Sequence, residues 1–345
     1  MQKTKQNLSH LVTVITALLV CGLLSTISNA QSSAEGFSAE RDVIVDSPGT
    51  DLWRAVRGRT DVVGKTQVKG PDTATMITTK GQEWRELRTQ KIIPYAMILL
   101  GAVLLLLLLY RLIFGKAKIK SGRSANKIAR FTSVQRFVHW VVAILFVILG
   151  ITGLILTFGR DGLIPLIGNE AFGSLAYVAK IIHDYIGPVF ALALLLMLFT
   201  FIKGNFPKGV DFKWLLKLGG LFGGHPDAGR YNAGEKLWFW LAILGGAVVV
   251  GSGLVLDFPI FGQGRELMQQ STVIHVIGAV VILAASFGHI YLGTVGMEGA
   301  FESMKTGYCD ENWAKEHHNL WFDEMNGKGL VGKTHEEIKA LKKST

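Results

Sequence analysis

Cysteine is almost missing from this chain. Cys21 and Cys309 are the only two in 345 residues, which excludes a disulfide framework and any thiolate cluster able to hold an iron–sulfur centre or structural zinc. Charge is scarce too: Asp, Glu, Lys and Arg make up 18% of the residues against 49% hydrophobic ones. The apolar residues fall in long blocks, not in the short periodic patches of a soluble core. That pattern excludes an ordinary water-soluble domain and predicts an all-α integral membrane protein. The formal net charge of +10 gathers between the apolar blocks, so it reads as a topology signal and not as nucleic-acid affinity.

What is present is five blocks near 92–114, 137–158, 181–202, 237–256 and 273–295, each about the 20 residues a spanning helix needs. A sixth, "LVTVITALLVCGLL" at 11–24, follows Lys3 and Lys5 and precedes "STISNAQ". This is the layout of a signal peptide over residues 1–30, cleaved after Ala30, which would carry Cys21 away. The alternative of an uncleaved sixth span is opposed by its 14 apolar residues, short for a crossing. A lipoprotein reading of Cys21 is opposed by Val20, where a small residue is expected. The expected organisation is a signal (1–30), a periplasmic extension (31–91), a first transmembrane helix (92–114), a basic cytoplasmic linker (115–136), a four-helix bundle (137–296) and a cytoplasmic tail (297–345).

Charge sets the orientation. Residues 115–136 carry Lys116, Lys118, Lys120, Arg123, Lys127, Arg130 and Arg136 without an acid, which places that stretch inside. Residues 203–236 hold six Lys or Arg, whereas 159–180 hold two and 257–272 only Arg265. The alternation implies a bacterial inner-membrane, multi-pass protein with a periplasmic mature N-terminus and a cytoplasmic C-terminus.

Four of nine histidines lie in or at the ends of the apolar blocks: His139 in "RFVHWVV", His183 in "KIIHDYIG", His275 in "VIHVIG" and His289 in "SFGHIYLG". Ionisable groups at membrane depth default to a functional reading. By topology His183 and His275 lie toward the outer face, His139 and His289 toward the inner. The 14 residues from His275 to His289 span roughly 21 Å and return to within about 40° of the same helix face. The expected pairs are therefore His183 with His275 and His139 with His289.

Two imidazoles facing each other across a gap fill both axial positions of a haem iron and leave no open position, a site that carries electrons only. Two such haems b would form a conductor across the membrane. Gly153, Gly187 and Gly278 recur in phase with the histidines and could make room for porphyrin, although glycine is also common at membrane helix contacts. A zinc or iron site would want carboxylate or thiolate company, and the spans offer little beyond Asp184. A proton relay or transport scaffold is the remaining alternative.

Together "FVHWVV", "KIIHDYIG", "FPKGVDFKWLLKLGG", "GRYNAGEKLWFW", "VIHVIG", "GHIY" and "WAKEHHNLW", from about 128 to 325, resemble the gamma, or cytochrome b, subunit of membrane-bound respiratory formate dehydrogenases. The resemblance implies a four-helix di-haem cytochrome b bundle, here with one extra N-terminal transmembrane helix. It implies the same two histidine pairs as axial ligands of two haems b. It also implies a quinone pocket (menaquinone or ubiquinone) at Asn232 and Gly234 near His289. The implied partners are an iron–sulfur beta subunit and a molybdenum or tungsten catalytic alpha subunit, since no formate chemistry is encoded here. Electrons would pass from the periplasmic iron–sulfur subunit through the outer and inner haems to quinone, in anaerobic respiration. A membrane-bound hydrogenase or thiosulfate reductase cytochrome b is the alternative of the same class.

From the residues alone, "YNAGEK" is also a helix start, Asn232 being the N-cap and Glu235 its capping-box partner. The Trp- and Arg-rich segments "LWRAVRGRTDVVG" and "GQEWRELRTQ" read either as a bland polar extension or as anchors for periplasmic partners. His317 and His318 with Cys309 make a poor metal cage and are expected to lie in a solvated or partner-contacting tail.

Overall fold

The computed structural model describes residues 53–54, 57–58, 62–63, 75–77, 79–220 and 226–344. The expected signal peptide with Cys21, its cleavage point after Ala30, most of 31–78 and His225 lie outside them. The chain divides into two compact units, Met1–Gly58 and Arg59–Thr345. In the first, the Arg57 guanidinium lies 6.0 Å from the centre of the Trp53 ring. Everything below concerns the second.

Five helices are long and apolar enough to cross a membrane: α1 (Lys80–Phe114), α2 (Ser133–Gly162), α3 (Ile164–Phe201), α5 (Ala233–Asp257) and α6 (Arg265–Gly296). They coincide with the five expected blocks and run past them at most ends. Thr132 and Asn232 each close a capping box at the starts of α2 and α5. In α3, Gly168 breaks the helix at φ 79°, a backbone conformation that glycine adopts without strain. Single π-turns interrupt α1 at Leu87–Ile92, α5 at Leu241–Gly245 and α6 at Leu292–Gly296.

Ala96 and Leu100 of α1 pack with Val280 of α6, joined by Leu154 and Phe158 of α2. A second core holds Phe190, Leu194 and Phe201 of α3 against Phe239 and Ile243 of α5. Outward residues such as Leu106, Ile113, Leu192 and Phe199 remain exposed, the lipid-facing surface of such a bundle.

The first span starts earlier than position 92, and this corrects the expectation for "GQEWRELRTQ". Trp84 Nε1 donates to the Gln269 carbonyl at 3.1 Å, and Lys80 pairs with Glu266 at 3.0 Å. Trp84 thus ties α1 to the start of α6 and is not a free anchor for a partner.

Residues 115–136 and 297–345, expected to be a basic linker and a solvated tail, instead fold together. Strand β1 (Lys127–Ala129) pairs antiparallel with β2 (Tyr308–Asp310), Ile128 opposite Cys309. Ile119 and Ile128 join Cys309, Trp313, Ala314, Trp321 and Phe322 in one core, drawn partly from α8 (Glu311–His317) and α9 (Asn319–Gly327). Arg123 bridges Glu298 and Glu302, both flanking or within α7 (Ala300–Thr306). Cys309 and His318 are fully buried, and burial pushes the Cys309 thiol up to about 11, which leaves it a packing residue and not a nucleophile. No local period reveals this cap, because its two halves are about 180 residues apart in the chain.

Candidate functional site: two histidine pairs within the bundle

The bundle brings His183 of α3 beside His275 of α6, with ring centres 6.0 Å apart. It brings His139 of α2 beside His289 of α6, with ring centres 6.3 Å apart. Both α6 histidines lie on one regular stretch of helix, so their pairs are stacked along the bundle.

The His183–His275 pair is held by two matching contacts. Thr152 Oγ1 donates to the Ile148 and Leu149 carbonyls of its own helix and lies 2.9 Å from His183 Nδ1. Ser252 Oγ donates likewise to the Val248 and Val249 carbonyls and lies 3.4 Å from His275 Nδ1. His275 Nδ1 is also 2.9 Å from the Val249 carbonyl. A carbonyl only accepts, so Nδ1 of His275 carries the hydrogen; the hydroxyl of Thr152, already donating, accepts from His183 in the same way. Each ring thereby keeps the unprotonated Nε2 for a metal.

The glycines next to these hydroxyls explain how the rings fit. A Cβ on Gly153 would stand 3.4 Å from His183 Cε1, and one on Gly253 only 3.0 Å from His275 Cε1. Gly253 thus makes room for an imidazole of the neighbouring helix, whereas a Cβ at Gly153 would be an ordinary contact. At Gly278 a Cβ would meet Val249 at 2.9 Å, a close helix contact.

The His139–His289 pair is built differently. His289 stacks on Trp238 with ring centres 4.8 Å apart and planes 15° from parallel. His139 meets Trp140 edge-on at 5.3 Å, and its Nδ1 is buried without a hydrogen-bond partner.

The residues fit a bis-histidine haem. A metal–imidazole bond of about 2.0 Å plus roughly 1.1 Å from nitrogen to ring centre, doubled, puts opposed ring centres about 6.2 Å apart, and both pairs stand within a few tenths of that. Among the described residues no three His, Cys, Asp or Glu side chains gather closely enough to hold a metal ion. A two-donor site suits an iron whose other four ligands come with its macrocycle.

At the start of α5, Asn232 Oδ1 accepts from the Glu235 amide at 2.9 Å and Glu235 Oε2 accepts from the Asn232 amide at 3.1 Å. The capping box is therefore present. The amides of Ala233 and Gly234, in the first helical turn, have no carbonyl within the helix to bond, and the Asn232 NH2 is the remaining donor of that side chain.

Glu235 ties this turn to the cap. Arg130, 3% exposed, donates from Nη2 to Glu235 at 2.9 Å and to the Arg230 carbonyl at 2.9 Å. His318 Nδ1 donates to the Gly229 carbonyl at 2.8 Å, leaving Nε2 to face Arg130 Nη2 at 3.2 Å. Burial first, and the Arg130 charge second, push His318 down to about 3, so it is a neutral structural side chain and not a solvated one. Arg130 also lies over the Trp313 ring at 4.9 Å.

Sequence reasoning overlooked Thr152, Ser252, Gly253, Trp238 and the Arg130–Glu235–His318 cluster. One signal was available: "GITG" at 150–153 and "GSG" at 251–253 place a hydroxyl residue before a glycine in two different spans.

Residues 130–307 match the family model for prokaryotic cytochrome b561. The chain is 28% identical over 207 residues to the cytochrome b556(Fdn) subunit of the nitrate-inducible formate dehydrogenase of Escherichia coli K12, covering 58% of this chain and 93% of that protein. It is 27% identical over 205 residues to the formate dehydrogenase cytochrome b556(fdo) subunit of the same strain, covering 58% and 94%. It is 23% identical over 205 residues to the formate dehydrogenase cytochrome b556 subunit of Haemophilus influenzae, covering 58% and 84%. The matched family segment spans α2 to α7, both histidine pairs included, and the chain belongs to the prokaryotic cytochrome b561 family, whose membrane helix bundles bind haem b.

Proposed function

We propose that this chain is the membrane-anchoring cytochrome b subunit of a formate dehydrogenase and holds two haems b, one between His183 and His275 and one between His139 and His289. The observation that carries the reading is the matched pair geometry, 6.0 and 6.3 Å between ring centres. Haem b, when bound, supplies reversible one-electron exchange. The chain's residues do the rest: two imidazoles at each site leave no coordination position for oxygen or substrate, and Thr152, Ser252 and the Val249 carbonyl fix the ring tautomers of the outer pair.

In this reading, electrons enter from a periplasmic iron–sulfur subunit, itself fed by a molybdenum or tungsten catalytic subunit, pass from the outer site to the inner one and reduce quinone near the cytoplasmic face. Asn232 and Gly234 bind the quinone: the Asn232 NH2 and the amides of the first turn of α5, which have no partner within the helix, are donors suited to its carbonyls. The names of the similar proteins support the complex, and the basic residues of 115–136 support a cytoplasmic cap in a bacterial inner membrane. The bundle over 137–296 is the electron carrier, and α1, Lys80–Phe114, an added anchor behind a signal (1–30) and a periplasmic extension.

The test is a reduced-minus-oxidised visible spectrum with haem quantification on the purified chain, His275→Ala and His289→Ala. Two haems in the parent and loss of a different one in each variant are expected. One haem or none in the parent would sink the reading.

A further inference from the structure

Between α3 and α5 the chain makes a short helix, α4 (Gly209–Leu216), with three distinct faces. At 100° per residue, Phe212, Leu215 and Leu216 share one arc, Lys213 and Lys217 the next, and Asp211 and Trp214 the third. Phe212 is 72% and Leu216 75% exposed, and Phe206 and Leu218 beside the helix are exposed as well.

The third face is fastened to the start of α5. Asp211 Oδ2 accepts from Lys236 Nζ at 2.6 Å, and both side chains are buried. Trp214 reaches the turn that carries Asn232. A Cβ on Gly234 would stand 3.0 Å from Trp214 Cη2 and 3.3 Å from Asn232 Oδ1, so the indole edge, the Gly234 backbone and the Asn232 amide meet at one point.

We infer that α4 lies in the cytoplasmic leaflet, its Phe212–Leu216 face in the acyl region and its lysines at the anionic headgroups, and that Trp214 is the lipid-side wall of the quinone pocket, in contact with the quinone ring. This rests on the quinone reading of Asn232 and Gly234. Three observations point to it. The face of Phe212, Leu215 and Leu216 is exposed and apolar, as the outward residues of the spans are, and the exposed Lys203, Lys208, Lys213 and Lys217 that flank it complement anionic headgroups as in other interfacial helices. A quinone dissolved in the bilayer must arrive sideways through the leaflet, and the nearest side chain to Gly234 is the Trp214 indole of α4. A flat, half-buried indole beside an open backbone turn suits an aromatic quinone ring.

The experiment uses the complete complex in lipid nanodiscs, with kinetics toward a soluble short-tail quinone analogue, dye-coupled activity that bypasses the quinone, and haem content. Trp214→Ala should raise the quinone KM roughly three- to tenfold, the range of an aromatic stacking contact. Dye-coupled activity and haem content should not change, and Trp214→Phe should restore most of the loss. Trp214→Leu, apolar, bulkier than alanine and not aromatic, serves if the alanine variant does not assemble, and should behave as alanine does.

If Asn232→Ala and Gly234→Val raise KM while the Trp214 variants do not, this inference falls and the quinone site stands. If none of them moves KM, the quinone reading itself fails. In parallel, a fluorophore at Phe212→Cys, with Cys21 and Cys309 replaced by Ser, should be quenched by headgroup-proximal brominated lipid. An unquenched label would remove α4 from the leaflet and overturn the inference.

Discussion

Removing Lys236 isolates one consequence of the structure that does not depend on any cofactor. Lys236 Nζ and Asp211 Oδ2 are 2.6 Å apart, with the side chains 6% and 10% exposed. Taking away one partner of a buried ion pair costs roughly 3–5 kcal/mol, because the other charge stays desolvated. After Lys236→Met, Asp211 still accepts the Lys208 amide at 2.6 Å, so the lower end, about 3 kcal/mol, is expected. Asp211→Leu strands the ammonium and also removes that cap on α4, a further loss of about 1 kcal/mol. The double variant Lys236→Met with Asp211→Leu strands nothing and should lie within about 1–2 kcal/mol of the parent, since apolar replacement of both partners is near neutral. It should therefore be more stable than either single variant. The assay is unfolding of the solubilised chain by SDS in mixed micelles, followed by near-ultraviolet circular dichroism. If the two losses simply add in the double variant, or each single variant lies within 0.5 kcal/mol of the parent, on the order of a surface pair, then the pair is not buried in the membrane-bound protein.

Three further outcomes are expected. Gly253→Ala places a Cβ 3.0 Å from His275, whereas Gly153→Ala places one at 3.4 Å from His183; the first should weaken haem retention at the outer site roughly tenfold and the second leave it unchanged, read as haem per polypeptide during dialysis. Thr152→Val should weaken the same site more than Ser252→Ala, because Thr152 lies 2.9 Å from its histidine and Ser252 3.4 Å, and His275 keeps the Val249 carbonyl. Equal effects would contradict the tautomer assignment. For the cap, His318 is held neutral down to about pH 3 in the folded chain, while an unfolded histidine takes up a proton below about 6.5. The folded state therefore has its full stability above pH 6.5 and loses it as pH falls toward 3, at up to about 1.4 kcal/mol per pH unit. Proteolytic resistance of the Trp313–Phe322 region should fall between pH 7 and 5 in the parent and fall less in His318→Gln; identical profiles would refute this.

Much of the bundle was legible in the chain because a bilayer writes simple rules. Twenty apolar residues make a crossing, lysine and arginine mark the inner loops, and a 14-residue interval returns a helix to nearly the same face. From these the sequence by itself determined five spans, the pairing of His183 with His275 and of His139 with His289, and the capping box at Asn232 and Glu235.

What only the tertiary structure decided depends on contacts between helices or between distant segments. Whether Thr152 and Ser252 reach a histidine ring, whether Trp238 stacks on His289, and whether Trp214 meets Gly234 are set by crossing angle and rotation, which no periodicity records. The pairing of Ile128 with Cys309, and the burial of His318 against Arg130, turned an apparent linker and tail into one folded cap. A strand pair closed across about 180 residues leaves no local signature, because its stability comes from the nonpolar core assembled behind it and not from the propensities of the residues that form it.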